Sequence, residues 1–231
     1  EKLGRKYGIT REASDAFAYE SHRRAAAARA SGRFAKEIVP VMVKGKKGEV
    51  VAERDEHIRE DTTPEMLATL VARFEQPGVV TAGNASGIND GGAAIVVASA
   101  AAAAKAGLRP LARVVSGGVC GVDPTIMGIG PAPASRQALA RAGLKVEDMD
   151  LVELNEAFAT QALAVEKELG LDHARTNVNG GAVALGHPLA ASGVRLALTL
   201  AYELRERRKR YGLASLCIGG GQGIAAIFER V

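Results

Sequence analysis

Asn179-Gly180-Gly181-Ala182-Val183-Ala184-Leu185-Gly186-His187-Pro188 is the stretch on which the reading of this chain turns. A residue before proline is pushed out of the α region, and proline itself suits the first position of a helix. The stretch therefore predicts a glycine-rich loop over 179–186 that ends at His187, and a long helix over 188–210. His187 is then held beside the positive end of a helix dipole, which disfavours imidazolium and suits a neutral base or hydrogen-bond partner. Taken singly, a histidine at a helix start reads as a structural cap or as a functional base, and the residues leave both open.

Beyond the helix, two apolar runs, 213–218 and 223–230, flank Gly219-Gly220-Gly221 and predict strands joined by a glycine turn. Cys217 closes the first run. A strand cysteine is ordinarily a small buried hydrophobe. Three following glycines let the backbone turn sharply and aim N–H groups at a ligand, so the thiol could also act as acid or base, provided its pKa is lowered. Before the opening stretch, a strand over 150–154 runs into Asn155-Glu156-Ala157-Phe158 and a helix over 156–170. Asn155 there serves as an N-cap, or its amide helps to hold an oxyanion.

Farther back the pattern gives a strand from Leu111, a Gly/Pro-rich loop over 117–133 and a helix over 134–142. The first part of the chain predicts a helix over 11–31 capped at Thr10 and a hairpin over 36–53 that turns at Lys44–Lys47. A helix then starts at Thr63-Pro64-Glu65 and ends near Phe74, followed by a short strand over 79–82 and a helix from Asp90 to Gly107. Strands alternating with helices of this length indicate an α/β fold, a sheet covered by helices.

Composition narrows the function classes. In 231 residues, 47% are hydrophobic, much of that alanine, with 5 Phe, 4 Tyr and no Trp, which suits close α/β packing rather than a β-sandwich. A net charge of +4 is too bland for a dedicated nucleic-acid binder, and Arg205 to Arg210 reads as the solvated end of a helix. Two cysteines, Cys120 and Cys217, make neither a disulfide framework nor a metal site, and reduced thiols point to the cytoplasm. No run approaches the ~18 apolar residues of a membrane span, and the charged start at Glu1 is not a signal peptide. The phosphate-binding G-x-G-x-x-G and G-x-x-x-x-G-K-[ST] patterns are absent, as are HExxH and CxxC.

Order and spacing say more than any one residue. The 179–188 stretch resembles the histidine motif of thiolases, and Cys217-Ile218-Gly219-Gly220-Gly221-Gln222-Gly223 resembles their second-cysteine motif. Asn155-Glu156-Ala157-Phe158 is similar to the family's Asn-Glu-Ala-Phe. The segment Ala82 to Gly91 is similar to its CoA-contacting segment, and Met127-Gly128-Ile129-Gly130-Pro131 to the loop bordering its acyl pocket. Five motifs in the family's order make coincidence implausible.

The resemblance implies an acyltransferase that makes or cleaves 3-ketoacyl-CoA through a cysteine acyl-enzyme, with a CoA thioester as substrate and no bound cofactor or metal. His187 would activate the nucleophile, and Cys217 would move the α-proton. Asn155, through a water, and His187 would form one oxyanion hole; the N–H of Gly219 would contribute to the other. Ser86 would contact the pantetheine arm, Arg59 and Phe74 the nucleotide side, and Met127 and Phe158 the acyl pocket. The thiolase fold, α/β/α/β/α in layers, is implied, with 1–88 as the remainder of a loop domain, 89–110 as the end of the N-terminal half and 111–231 as the C-terminal half. On that map the chain is a C-terminal portion whose nucleophilic cysteine lies upstream. It would expose an apolar face and be inactive and poorly soluble alone, whereas the whole enzyme would be a homodimer or homotetramer. The family's glycine after His-Pro-Leu is replaced by Ala190. Two alternatives compete: a ketoacyl synthase, which would need a second active-site histidine, and a non-catalytic acyl-CoA-binding relative.

Overall fold

A computed structural model describes residues 1–45 and 48–231; Lys46 and Lys47, at the turn read from the sequence, lie outside the described residues. The helices are α1 (Lys2–Tyr7), α2 (Arg11–Ala30), α3 (Pro64–Ala68), α4 (Ala100–Lys105), α5 (Pro131–Ala142), α6 (Ala159–Leu169), α7 (Ala182–Leu185) and α8 (Leu189–Glu206). The strands are β1 (Val41–Gly45), β2 (Gly48–Ala52), β3 (Ala112–Gly121), β4 (Leu151–Leu154), β5 (Tyr211–Ile218) and β6 (Gln222–Arg230).

Strands β3 to β6 form one sheet in the order β3-β6-β5-β4, with β4 and β5 parallel and the other pairs antiparallel. Successive residues alternate between its faces. Val152, Leu213 and Ile227 enter one core with α5 and α6 residues such as Leu139 and Val165. Their neighbours Leu151, Ala214 and Phe228 enter a second core under α8. On α8, Leu196, Leu200 and Leu204 recur every four residues and are fully buried. Each contributes about 1.5–3 kcal/mol of hydrophobic burial. Strands β4 and β5 are covered on both faces because both residue parities are apolar, as in α/β layers, whereas Val114 and Val119 of the edge strand β3 are exposed.

The first part of the chain is tied to this frame through α2, which packs on α6 and α7. Thr10 caps α2 by accepting the Ala13 N–H at 3.2 Å. Arg24 donates to the Thr176 carbonyl at 2.7 Å, and Arg33 pairs with Glu37 and with Glu203 of α8. Strands β1 and β2 form a separate two-stranded ribbon.

Several local expectations are corrected. Residues 79–82 form no strand, because Asn84 binds their backbone: it accepts from the Thr81 N–H at 2.8 Å and donates to the Val79 carbonyl at 2.9 Å. The helix begun at Thr63 stops at Ala68, where only Leu67 is buried. Residues 90–99 are neither helix nor strand, and Ile95, Val96 and Val97 are exposed. A helix with no packed face is marginal in water, so only the alanine run, capped by Ser99, keeps helical form. Strand β3 extends through 117–121, so Cys120 lies in a strand opposite Gly223 rather than in a loop.

Candidate active site

Because β4 and β5 run parallel, their C-terminal ends deliver residues to the same edge of the sheet, the usual place for ligands in such sheets. Asn155 follows β4 and Cys217 is near the end of β5; the Asn155 N–H donates to the Ser215 carbonyl at 2.9 Å. The Asn155 side chain is fully buried, and its Nδ2 lies 3.2 Å from Nε2 of His187. Two residues 32 positions apart thus meet, and a donor amide faces the ring nitrogen.

His187 is positioned from both sides. Its N–H donates to the Gly87 carbonyl at 3.0 Å, and Nδ1 lies 2.6 Å from Ser192 Oγ on the first turn of α8. Gly186 has φ 92°, and a Cβ there would fall 2.2 Å from Asn89 Oδ1, so the step into the histidine requires glycine. The preceding loop is held by Glu156, whose carboxylate accepts from Ser21 Oγ and Asn177 Nδ2 at 2.7 Å and from the Val183 N–H at 3.1 Å. The Gly181 N–H in turn donates to Ser21 Oγ at 3.1 Å. Sequence reasoning passed over Glu156, Ser21 and Ser192. Glu156 sits inside a motif already singled out, but its partners come from α2 and from the loop it braces.

Electrostatics define the resting protonation states. Burial, and secondarily the Arg195 guanidinium, push the His187 pKa down, which keeps the ring neutral. Burial pushes the Cys217 thiol up to about 11. The lowered pKa expected for acid–base work is therefore not what the site supplies. The neutral thiol is favoured, which places Cys217 as a proton donor.

The glycine turn after Cys217 is a three-residue loop in which Gly220 and Gly221 have positive φ, while Gly219 is exposed with open space around it. Met127, Phe158 and Phe74 come together around a cavity of about 310 Å³ that Ile126, Val80 and Gln161 also line. The Phe74 and Phe158 rings meet edge to face at 6.1 Å. Ser86 lies against the asparagine motif, with its hydroxyl and its N–H both donating to the Ala157 carbonyl at 3.1 Å. Arg59 does not line this cavity; it is exposed, and its backbone N–H donates to His22 Nδ1 at 3.2 Å. Ala190 is exposed on the first turn of α8. Among the described residues no group of three or more His, Cys, Asp or Glu could hold a metal, and no helix is long and apolar enough to cross a membrane.

The family model for the thiolase N-terminal domain matches residues 1–101, and that for the thiolase C-terminal domain matches residues 108–230. The chain belongs to the thiolase family. Residues from both family domains are present, so the chain is not confined to the C-terminal one. An acetyl-CoA acetyltransferase of Syntrophomonas wolfei is 54% identical over 231 residues, covering 99% of this chain and 58% of the relative. The 3-oxoadipyl-CoA/3-oxo-5,6-dehydrosuberyl-CoA thiolase of Escherichia coli is 55% identical over 234 residues, covering 100% of this chain and 58% of its own length. Human mitochondrial 3-ketoacyl-CoA thiolase superposes with a TM-score of 0.97 at 52% identity, covering 100% of this chain and 58% of that one. A further structure of that human enzyme, in complex with CoA, gives 0.95 at 51% identity, covering 100% of this chain and 57% of that one. The thiolase fold is thus shown, and the chain spans rather more than half the length of these relatives.

Proposed function

We propose that these residues supply the proton-transfer and oxyanion-holding part of an enzyme that makes or cleaves 3-ketoacyl-CoA. The observation that carries the proposal is the convergence of a neutral His187, a buried Asn155 and a protonated Cys217 at one sheet edge, within a chain over half identical to named acetyltransferases and thiolases. On this reading the acyl-accepting cysteine is a residue outside these 231.

Nε2 of His187 takes the proton of that thiol as its sulfur attacks the thioester carbonyl, and CoA departs as the acyl-enzyme forms. The carbonyl oxygen gains charge, and the histidine N–H so created, together with a water held by Asn155, stabilises it. In thiolysis the protonated Cys217 gives its proton to the carbon of the departing acetyl-CoA enolate; in condensation its thiol first gives that proton to the CoA sulfur departing in acylation, and the thiolate so left removes the α-proton of acetyl-CoA. The N–H of Gly219 is free to hold the second oxyanion. Ser86 marks the pantetheine path, Met127 and Phe158 the acyl pocket and Arg59 the nucleotide side of CoA; Phe74, expected on that nucleotide side, is instead read as the rim of the acyl pocket because its ring meets Phe158. Residues 1–88, 89–110 and 111–231 are read as loop domain, end of the N-terminal half and C-terminal half. A homodimer or homotetramer working in the cytoplasm completes the reading. No observation favours the acyl-CoA-binding alternative.

The test uses the full-length protein carrying these residues, with acetoacetyl-CoA thiolysis, acetyl-CoA condensation and single-turnover acylation measured separately. Cys217→Ala abolishes condensation and thiolysis while leaving slow acylation, and His187→Ala slows acylation itself. Near-normal condensation by the Cys217 variant refutes the assignment.

A further inference from the structure

Resting on the function just proposed, we infer that Ser192 is a positioning residue that fixes which nitrogen of His187 carries the proton. The neighbour of Nε2 is Nδ2 of Asn155, a group that only donates, so Nε2 faces it with a lone pair. A neutral imidazole then carries its hydrogen on Nδ1, where it points at Ser192 Oγ, 2.6 Å away.

A hydroxyl can donate or accept, but Ser192 has somewhere else to send its one hydrogen. Its Oγ lies 3.2 Å from the carbonyl of Pro188, four residues earlier, which only accepts. With that hydrogen directed to Pro188, the serine oxygen is left as an acceptor for Nδ1–H. The two ends of the ring agree: donor at Nε2, acceptor at Nδ1. Ser192 is 2% exposed, so water does not compete for either contact. Its place is also fixed, because its own N–H donates to the same Pro188 carbonyl at 3.0 Å and starts α8.

The chemical consequence is specific. Only the Nδ1–H form leaves Nε2 able to take a thiol proton, and only after that transfer does Nε2–H exist to hold the oxyanion. Without Ser192 the ring has no acceptor at Nδ1, and the Nε2–H tautomer, which cannot accept, becomes available. Arg195, one turn further along α8, is the charged neighbour that helps keep the ring neutral. Ser192, held by Pro188, therefore acts through His187.

The direct test reads the ring of the unsubstituted protein. In the full-length protein labelled with ¹⁵N-histidine, the His187 signals, assigned by their loss in His187→Asn, should show a protonated Nδ1 and an unprotonated Nε2. The reverse pattern overturns the inference. In parallel, Ser192→Ala should lower kcat for acylation by about 10- to 100-fold with KM nearly unchanged, on the order of the loss that follows removal of the outer hydrogen-bond partner of a metal-bound histidine. Ser192→Thr, which keeps the hydroxyl, should restore most of that loss. Wild-type acylation by Ser192→Ala, or a threonine variant as impaired as alanine, also overturns it. If His187→Asn itself acylates at the wild-type rate, the proposed function fails instead, which separates the two outcomes.

Discussion

Glu156→Gln is the substitution that most sharply tests how the histidine loop is held. The Glu156 side chain is buried, and its two oxygens receive three donors: Asn177 Nδ2 on Oε1, and Ser21 Oγ with the Val183 N–H on Oε2. Burial pushes this carboxyl's pKa up, while the three donors pull it down. Geometry favours the ionised form, since Asn177 and Val183 can only donate here and Ser21 Oγ already accepts from the Gly181 N–H. Glutamine must turn its NH₂ toward one of these donors. The cheaper choice faces Asn177, leaving one buried donor opposed and two bonds stripped of charge. Charge-assisted bonds contribute about 1.5–3 kcal/mol, and a buried unsatisfied donor costs about 1–3 kcal/mol. Relief from burying a charge offsets part of this, so the expected net loss is about 2–4 kcal/mol, with slower acylation because the 181–186 segment leading to His187 loosens. Urea unfolding of the two full-length proteins at pH 7, alongside single-turnover acylation, measures both. Glutamine is the isostere of the neutral acid; a loss below about 0.5 kcal/mol would show that the carboxyl is protonated in the native protein and would refute the reasoning.

Two further expectations concern stability. His22 is buried, and its pKa is pushed down to about 4 by burial and by His57, whose ring lies 6.4 Å away. The unfolded chain protonates first on acidification, so stability from the neutral ring is intact above the unfolded value of about 6.5 and is lost as pH falls toward 4. The loss is at most about 3 kcal/mol, and His22→Gln should flatten the decline of the melting temperature across that window; an unchanged slope sinks the assignment. Gly223→Ala would place a Cβ 2.0 Å from the carbonyl carbon and oxygen of Gly130, backbone that cannot swing aside as a side chain can. The expected loss is at or above the upper end, about 3 kcal/mol, of ordinary overpacking penalties; calorimetry showing less than about 1 kcal/mol would contradict that contact.

How far the sequence could be read depended on whether the controlling interaction was local. Thr10 and Thr63 each accept an N–H three residues on, so their helix starts were legible, and so was the pair of strands around Gly219–Gly221. Where a helix stops or a strand pairs is settled by distant partners, which is why 79–82, 90–99 and 117–121 were misread. Asn84 was free to bind 79–82 only because Asp15 of α2 receives the other hydrogen of its amide, at 2.8 Å.

The same division runs through the site. By itself the sequence determined which side chains are present and in what order: Asn155, His187 and Cys217, each at the edge of a regular element, in five motifs arranged as in thiolases. Only the tertiary structure decided what those groups are chemically. The Cys217 thiol rests protonated because β5 is packed on both faces, although its glycine neighbours suggested an activated group. The His187 tautomer follows from one neighbour 32 residues earlier and another on the next turn of helix. Protonation state depends on desolvation and on the nearest charges and lone pairs, and in a folded chain those come from residues that sequence distance does not order.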